Sequence, residues 1–351
     1  MKAGRAEPAI LSLAELVDGL ASAYAPEKFS TLSGSGILIV DLPAEEGKPW
    51  PTGRLESTAA ALAELACPTI ALAGGTHSPG ATSLIPAFDV VLEGGLSLNP
   101  LLDCIQANPL ASLALVQLLR HNEKADVHQG LMAESLVYSV LQSGPEFRRW
   151  TEGRAEPGVP DAGEPAVLAE REGASLCLRF NRPARHNAFG VAMRDGLAEG
   201  LQLALSDPAI KEVVLRGEGP SFCSGGDLAQ FGSFPDPATA HAVRSTRNVG
   251  RMLHALADKT RAEVHGACIG AGVELPAFVH RVSAREDAFF QLPEIEMGLV
   301  PGAGGTVSLL RRIGRQRTAW LALTGERIEV ERALRWGVVD EITPADGSAA
   351  A

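Results

Sequence analysis

The chain has 351 residues, enough for two ordinary domains, and 46% hydrophobic with 21% charged residues is typical of a folded globular protein. The net charge of -11 disfavours non-specific binding to nucleic acid, although local arginines and backbone N–H groups can still bind an anionic ligand. No apolar run approaches the ~18 residues of a membrane span. The five cysteines are scattered without CxxC spacing, which argues against disulfides and a zinc site. We therefore expect a cytoplasmic protein that binds no nucleic acid, membrane or metal.

Strands and helices are predicted to alternate in residues 1–150. An amphipathic helix is expected from about Ile10 to Leu20, and apolar runs predict buried strands at GILIVDL, TIALAG and FDVVLEG. An Ala-rich helix lies between the first two strands. A helical stretch begins at Asn108-Pro109, and a second helix covers 131–141 and stops at Gly144-Pro145.

The clearest boundary is Thr151 to Pro165, where Gly, Pro and acidic residues crowd together with almost no large apolar side chain. This composition is typical of a linker, and a long surface loop within one domain is the alternative. We expect an N-terminal domain over 1–150, a linker over 151–165 and a second domain over 166–351.

Strand and helix alternate again after the linker. Two strands are predicted to join at the Glu172-Gly173 turn, followed by a helix over 191–205 and a strand over 212–219. A further helix is predicted over 240–257, and AEVHGACIG is expected to be a strand that enters a turn. The second domain is therefore predicted to be α/β.

Two glycine-rich stretches follow predicted strands. SFCSGGDLAQF (221–231) has adjacent glycines that let the backbone turn sharply and present N–H groups, although an ordinary tight turn also fits. VHGACIGAGVEL (264–275) places small residues before a helical run, where free N–H groups stabilise negative charge. A dinucleotide-binding motif is disfavoured because the third glycine and the ribose-binding acid are missing.

A third stretch, FFQLPEIEMGLVPGAGGT (289–306), places Pro293 just before Glu294 and several glycines before another helix. No lysine follows these glycines, so the run is not a Walker-type phosphate loop. Taken singly, Glu294 also fits an ordinary surface carboxylate followed by a turn.

Together, these stretches resemble the crotonase (enoyl-CoA hydratase/isomerase) superfamily. NRPARHNAF, FCSGGDL, HGACIGAGVEL and LPEIEMGLVPGAGGT follow the family signatures RPxxxNA, F(C/S)(A/S)G(A/G)D, NGxAxGGGxEL and PEhxxGhhPGxGGT in the same order. The resemblance covers about 167–342, half the chain. It implies an α/β fold of the crotonase type, a spiral of β-β-α units.

The resemblance also implies roles for individual residues. The backbone N–H groups of Gly226 and Ala271 are expected to form the oxyanion hole, with Ala271 in place of the usual glycine. Glu274 and Glu294 match the two glutamates of the hydratases and are expected to act as the acid and base. The residues expected to contact coenzyme A are Arg182, Ala184, Gly226, Asp227 and Leu228.

The implied function is an enoyl-CoA hydratase or dehydratase that acts on an acyl-CoA thioester. No cofactor is expected other than the coenzyme A carried by the substrate, and the resemblance implies a homo-oligomer, a trimer or a dimer of trimers. An isomerase or another CoA-thioester enzyme of the same fold is one alternative. A non-catalytic CoA-binding or assembly subunit is another, which the unusual two-part chain and Ala271 favour and the presence of both glutamates opposes.

The family's closing C-terminal helices are expected to be missing after Ile342. CIQANPLASLALVQLLR and GLMAESLVYSVLQSGPEFRRW, within 104–150, resemble those helices, and GILIVDL with CPTIALAG resembles the family's core strands. We therefore expect residues 30–150 to be a shortened, non-catalytic repeat of the same fold, whose helices cap the second domain.

Overall fold

The computed structural model of the protein describes residues 8–42, 50–75, 77–93, 95–152, 163–231 and 236–344. The strands are β1 Ile10–Ser12, β2 Leu38–Asp41, β3 Thr69–Leu72, β4 Val90–Leu92, β5 Val167–Glu172, β6 Ser175–Phe180, β7 Glu212–Gly217, β8 Thr260–Val264, β9 Ala267–Ile269, β10 Arg281–Arg285, β11 Phe289–Gln291, β12 Ile328–Glu329 and β13 Glu341–Thr343. The helices are α1 Leu13–Leu20, α2 Ala25–Phe29, α3 Thr52–Glu64, α4 Pro79–Leu84, α5 Asn99–Ala107, α6 Pro109–Asn122, α7 Val127–Gln142, α8 Pro145–Thr151, α9 Val191–Ser206, α10 Pro237–Thr246, α11 Val249–Ala255, α12 Ala271–Glu274, α13 Gly305–Ile313, α14 Arg315–Thr324 and α15 Val330–Trp336.

Before the predicted linker, four parallel strands form a sheet in the order β1-β2-β3-β4. Its central strands, β2 and β3, are buried on both faces. Leu38 and Val40 pack with α1 and α3 in one core, while Ile39, pointing the other way, belongs to the larger core that continues into the second half. The two halves of the chain therefore share a continuous hydrophobic core. The linker prediction falls mostly on 153–162, outside the described residues.

The second half contains a six-stranded sheet, in the order β13-β10-β8-β7-β6-β5, and a three-stranded sheet, in the order β12-β11-β9. The chain passes from the six-stranded sheet to the three-stranded sheet twice, from β8 to β9 and from β10 to β11. At the first passage Gly266 has φ +55, and a Cβ there would lie 2.1 Å from the Pro220 carbonyl oxygen. Each pair of strands is followed by a helical turn, so the fold is the predicted spiral of β-β-α units.

The helices α5 to α8 lie against this second half. Helices α6 and α7 pack on α13, α7 also packs on α10 and α11, and α5 packs on α14. The proposal that residues 30–150 are a shortened repeat stays a prediction, because the packing fixes the position of these helices and not their origin. No single helix in the described part is long and apolar enough to cross a membrane; α5 and α6 reach that length and hydropathy only together, with a bend of 109° between them.

A buried ion-pair group joins the two halves. Asp89, only 1% exposed, accepts hydrogen bonds from Arg120 of α6 at 2.6 and 2.9 Å and from Arg315 of α14 at 3.2 Å. Thr69 donates to the same carboxylate through its backbone N–H and its hydroxyl, each at 2.9 Å. Asp89 is thus satisfied by both halves of the chain, which fixes β4 against α14.

Candidate active site

A cavity of about 200 Å³ lies between α7 and the second half of the chain. Its walls come from seven places: the inner face of α7, four residues at the start of α9 (Phe189, Gly190, Val191 and Arg194), four residues of the loop after β7 (Gly226, Asp227, Gln230 and Phe231), five residues from the end of α10 to the start of α11 (Arg244, Arg247, Asn248, Val249 and Gly250), three residues at α12 (Ala271, Glu274 and Leu275), Glu294, and residues 302–304. Four of the predicted site residues, Gly226, Ala271, Glu274 and Glu294, therefore line one cavity.

The backbone N–H groups of Gly226 and Ala271 lie at this cavity and have no acceptor within the described residues. Ala271 begins α12, so its N–H is one of those that a helix leaves unpaired at its start. The chain reaches this position through Gly270, whose φ of +51 favours glycine. The methyl group of Ala271 does not remove the donor, so two N–H groups are available to an oxygen atom in the cavity.

Glu274 is held at the start of α13. Its Oε2 atom accepts hydrogen bonds from the backbone N–H groups of Ala303 and Gly305, both at 2.8 Å. The residue is 2% exposed, and burial raises the pKa of its carboxyl to about 7 although these hydrogen bonds lower it. Near neutral pH Glu274 therefore exists in both forms, which suits a general base.

Glu294 has a different environment. Its Oε2 atom is buried and has no hydrogen-bond partner within the described residues. Its Oε1 atom lies against Gly270, where an added Cβ would be 2.5 Å away. Burial, with the nearby Glu274 carboxylate as the second cause, raises the pKa of Glu294 well above its ordinary value. Glu294 is therefore the carboxyl that stays protonated and can donate a proton.

A third carboxyl group, Glu134 of α7, was missed by the sequence reasoning, which assigned no chemistry to the first half. It accepts hydrogen bonds from the N–H of Gly304 at 2.8 Å and from the N–H and hydroxyl of Thr306 at 3.1 and 2.6 Å. Burial and the Glu274 carboxylate raise the pKa of Glu134 to about 8. The signal that could have found it is an acidic residue on the otherwise apolar GLMAESLVY helix.

The predicted coenzyme A contacts fall into two groups. Gly226 and Asp227 line the cavity, and Asp227 is 5% exposed and ion-paired with Arg185 at 2.7 Å. The other three, Arg182, Ala184 and Leu228, lie outside the cavity wall. The Arg182 guanidinium donates to the carbonyls of 164 and 165, and Leu228 is 43% exposed. Their role toward coenzyme A stays a prediction.

Within the described ranges, no group of three or more His, Cys, Asp or Glu side chains is placed to hold a metal ion. The hydrogen bonds of Glu134 and Glu274 point to the start of α13 instead. The cavity therefore combines free N–H donors with carboxyls in different protonation states, an arrangement that can stabilise an oxyanion and transfer protons.

The chain is similar in sequence to known proteins. The family model for enoyl-CoA hydratase/isomerase matches residues 170–348. A 2,3-dehydroadipyl-CoA hydratase from Escherichia coli (strain K12) is 34% identical over 180 residues, 51% of this chain and 70% of that protein. The mitochondrial enoyl-CoA hydratase of Pongo abelii is 31% identical over 185 residues, 51% of this chain and 62% of that protein. A 1,2-epoxyphenylacetyl-CoA isomerase from Escherichia coli (strain K12) is 35% identical over 188 residues, 51% of this chain and 72% of that protein.

Among solved structures, an enoyl-CoA hydratase from Thermoplasma volcanium GSS1 is 31% identical with a TM-score of 0.48, covering 51% of this chain and 72% of that one. Because the family model covers half of the chain, the protein belongs to the enoyl-CoA hydratase/isomerase family. The crotonase prediction for the second half is confirmed. The relatives include both hydratases and an isomerase, so family membership alone does not select the reaction.

Proposed function

We propose that the protein is an enoyl-CoA hydratase, which adds water across the α,β double bond of an acyl-CoA thioester or removes it. The observation that carries this proposal is the pairing of Glu274 and Glu294 in one cavity, where Glu274 accepts two backbone hydrogen bonds and the Oε2 atom of Glu294 has no partner within the described residues. Hydration needs a base for the water and an acid for the α-carbon, and the two carboxyls differ in the way these tasks require.

The thioester carbonyl is placed at the N–H groups of Gly226 and Ala271. Attack on the β-carbon pushes an electron pair onto that carbonyl oxygen, and two pre-aimed N–H donors stabilise the resulting enolate by several kcal/mol. Strand pairing holds the backbone of both donors, since Phe189 bridges Gly226 and β9 leads into Ala271. Little reorganisation is needed when the charge forms.

Proton transfer completes the addition. The ionised Glu274 takes a proton from water while the water oxygen bonds to the β-carbon, and the protonated Glu294 gives its proton to the α-carbon. One water molecule is thus added, and a proton must return from Glu274 to Glu294 before the next cycle. Each carboxyl contributes roughly 10² to 10⁴-fold by this route.

A double-bond isomerase is the second candidate, because one relative, 29% identical over 190 residues, is an enoyl-CoA isomerase/hydratase. An isomerase removes a proton from one carbon and returns it to another, which one carboxyl group can do. The pairing of two carboxyls at one cavity favours hydration over this route.

The experiment is loss of the enoyl-thioester absorbance of crotonyl-CoA on addition of the protein. Glu274→Gln and Glu294→Gln should each lower turnover at least ~100-fold with ligand binding nearly unchanged. Glu296→Gln, two residues from Glu294 and exposed, is the control and should keep the full rate. Binding of the thioester without any turnover would identify a binding subunit instead, and unchanged rates would remove the glutamates from the mechanism.

The remaining family expectations also stand as proposals. We expect a homo-oligomer, measurable by light scattering of the purified protein, and no cofactor beyond the substrate's coenzyme A. A cytoplasmic location is expected from the scattered thiols. These expectations do not enter the argument for the reaction.

A further inference from the structure

We propose that Arg244 and Arg194 form a subsite for an anionic group at the end of the acyl chain, so that the preferred substrates are enoyl thioesters whose acyl part ends in a carboxylate. This inference rests on the proposed hydratase function. Both guanidinium groups line the same cavity as Glu274 and Glu294. They lie on α10 and α9, and not on the stretches that hold the carboxyls or the N–H donors.

Arg244 is held rigidly but is not neutralised. Its Nε atom donates to the Ser135 hydroxyl at 3.0 Å, and its Nη2 atom donates to the Ser139 hydroxyl at 2.5 Å and the Ser135 carbonyl at 3.2 Å. The guanidinium also lies 4.9 Å from the centre of the Tyr138 ring. Every acceptor in this set is uncharged.

No carboxylate within the described residues comes within ion-pair distance of Arg244, and Nη1 has no acceptor there. The stretch 232–235 just before α10, which lies outside those residues, contains no Asp or Glu in its sequence. A cation at a partly closed cavity, with both N–H groups of Nη1 without an acceptor, is suited to a charge-assisted hydrogen bond with a ligand carboxylate.

Arg194 adds to the positive charge of this wall. Its Nε and Nη2 atoms donate to one oxygen of Asp195, at 3.0 and 2.8 Å. The same oxygen is shared with Arg247 at 3.2 Å, and the other acid near Arg247 is the exposed Glu199 at 3.8 Å. The Asp195 carboxylate therefore pairs with two arginines. The wall made by Arg194, Arg244 and Arg247 has a net positive charge.

The direction of the acyl chain follows from the positions of the charged groups. The thioester carbonyl lies at Gly226 and Ala271, and the double bond lies beside the two glutamates, which would repel a further carboxylate. Apolar side chains line the rest of the cavity: Leu131, Phe189, Val191, Phe231, Val249 and Leu275. A short acyl chain can cross this apolar part and place a terminal carboxylate at the arginine wall.

The test compares two thioesters of equal chain length, trans-hex-2-enoyl-CoA and the CoA thioester of trans-hex-2-enedioic acid, by kcat/KM for loss of enoyl absorbance. The wild-type protein should prefer the carboxylate-bearing substrate at least ~30-fold, as expected for a charged hydrogen-bonding pair. Arg244→Met should lower kcat/KM for that substrate at least ~30-fold and leave the rate on hexenoyl-CoA unchanged or higher. Arg251→Met, an exposed arginine of α11, is the control and should change neither rate.

Each other result has a defined meaning. Equal rates on both substrates overturn the subsite and leave the hydratase function standing, whereas no hydration of either substrate overturns the hydratase function itself. If Arg244→Met lowers both rates equally, and the loss disappears with N-acetylcysteamine thioesters that lack phosphates, the arginine binds the phosphates of coenzyme A and the subsite is refuted. Arg194→Met provides the same comparison if Arg244→Met does not fold.

Discussion

Glu134 and Glu274 take alternate N–H groups from the start of one helix. Glu274 accepts from Ala303 and Gly305, and Glu134 accepts from Gly304 and Thr306. The two acids come from opposite sides of the predicted linker. Both acids therefore lie at the start of α13, with its partial positive charge, and the first half of the chain contacts the same turn as the proposed base Glu274.

This relationship makes Glu134 a positioning residue for Glu274. We predict that Glu134→Gln lowers kcat roughly 10-fold with little change in KM, because an amide has one acceptor oxygen and cannot accept from both Gly304 and Thr306 as the two carboxyl oxygens do. Steady-state kinetics on crotonyl-CoA give both values. Asp103→Asn, an exposed acid on α5, is the control and should be silent. A variant that keeps the wild-type kcat would show that α7 supports the fold but not the base.

The pH dependence of kcat/KM should be bell-shaped. The base, Glu274, has its pKa raised to about 7 by burial, so activity should rise as pH increases through that value. The acid, Glu294, also has its pKa raised, by burial and by the Glu274 carboxylate, and activity should fall again when it ionises. Glu134→Gln should leave the rising limb at nearly the same pH, because burial, and not Glu134, raises the pKa of Glu274. A rising limb that moves clearly to lower pH in this variant would contradict that cause.

Stability should decrease as pH rises across the same range. Glu134 and Glu274 have folded-state pKa values of about 8 and about 7, both above the ordinary value of 4.5 for a glutamate. Between pH 4.5 and these raised pKa values, the folded state therefore binds more protons than the unfolded state. The free energy of unfolding should then fall with pH from about 4.5 to 8, at up to about 1.4 kcal/mol per pH unit for each group. Urea unfolding at several pH values measures this slope. Glu134→Gln should flatten it, and a wild-type slope in that variant would contradict the shift.

The ion-pair group at Asp89 predicts strong coupling between the two halves. Asp89→Ala leaves the guanidinium of Arg120 without a carboxylate and that of the buried Arg315 with only the half-exposed Glu123, which should cost about 3–5 kcal/mol of unfolding free energy. Asp18→Ala, which removes the exposed partner of Arg54, is the matched control and should cost at most about 1 kcal/mol. A similar loss of unfolding free energy in the two variants would mean that the ion-pair group at Asp89 stabilises the fold no more than an exposed ion pair does.

Deletion of residues 1–150 should give insoluble or misassembled protein. The large core contains residues from both halves, for example Ile39, Leu115 and Val307, so the deletion exposes apolar surface on α13 and α14. Size-exclusion chromatography and activity of the fragment measure the outcome. A soluble, fully active fragment 151–351 would refute the capping role of the first half.

Much of the fold could be predicted from the sequence because its signals are local. The strands at Leu38, Thr69 and Val90 and the helix from Val191 follow apolar periodicity, and the structure places them close to the predicted bounds. The predicted helix over 240–257 is instead two helices, because Asn248 ends one and caps the next through a hydrogen bond to the N–H of Arg251. When a capping residue lies within a helical sequence pattern, the two helices that it separates are easily predicted as one.

The candidate site was only partly predictable. Glu274 and Glu294 lie within motifs, so a resemblance of sequence locates them. Glu134 and Arg244 reach the cavity only through the packing of α7 on α10 and α13, so an acid on an apolar helix marks Glu134 as unusual but does not locate it at the site. The amphipathic helix expected from Ile10 begins instead at Leu13, because Ser12 and Glu15 form a capping box after a short strand.

The most direct test of the central claim is the fate of an enoyl-CoA substrate in oxygen-18-labelled water. We predict that mass spectrometry of the product shows a 3-hydroxyacyl thioester with one labelled oxygen, formed rapidly by the wild-type protein and at least ~100-fold more slowly by Glu274→Gln and Glu294→Gln. A product with a shifted double bond and no label, or labelled product at the wild-type rate from both variants, would contradict the account.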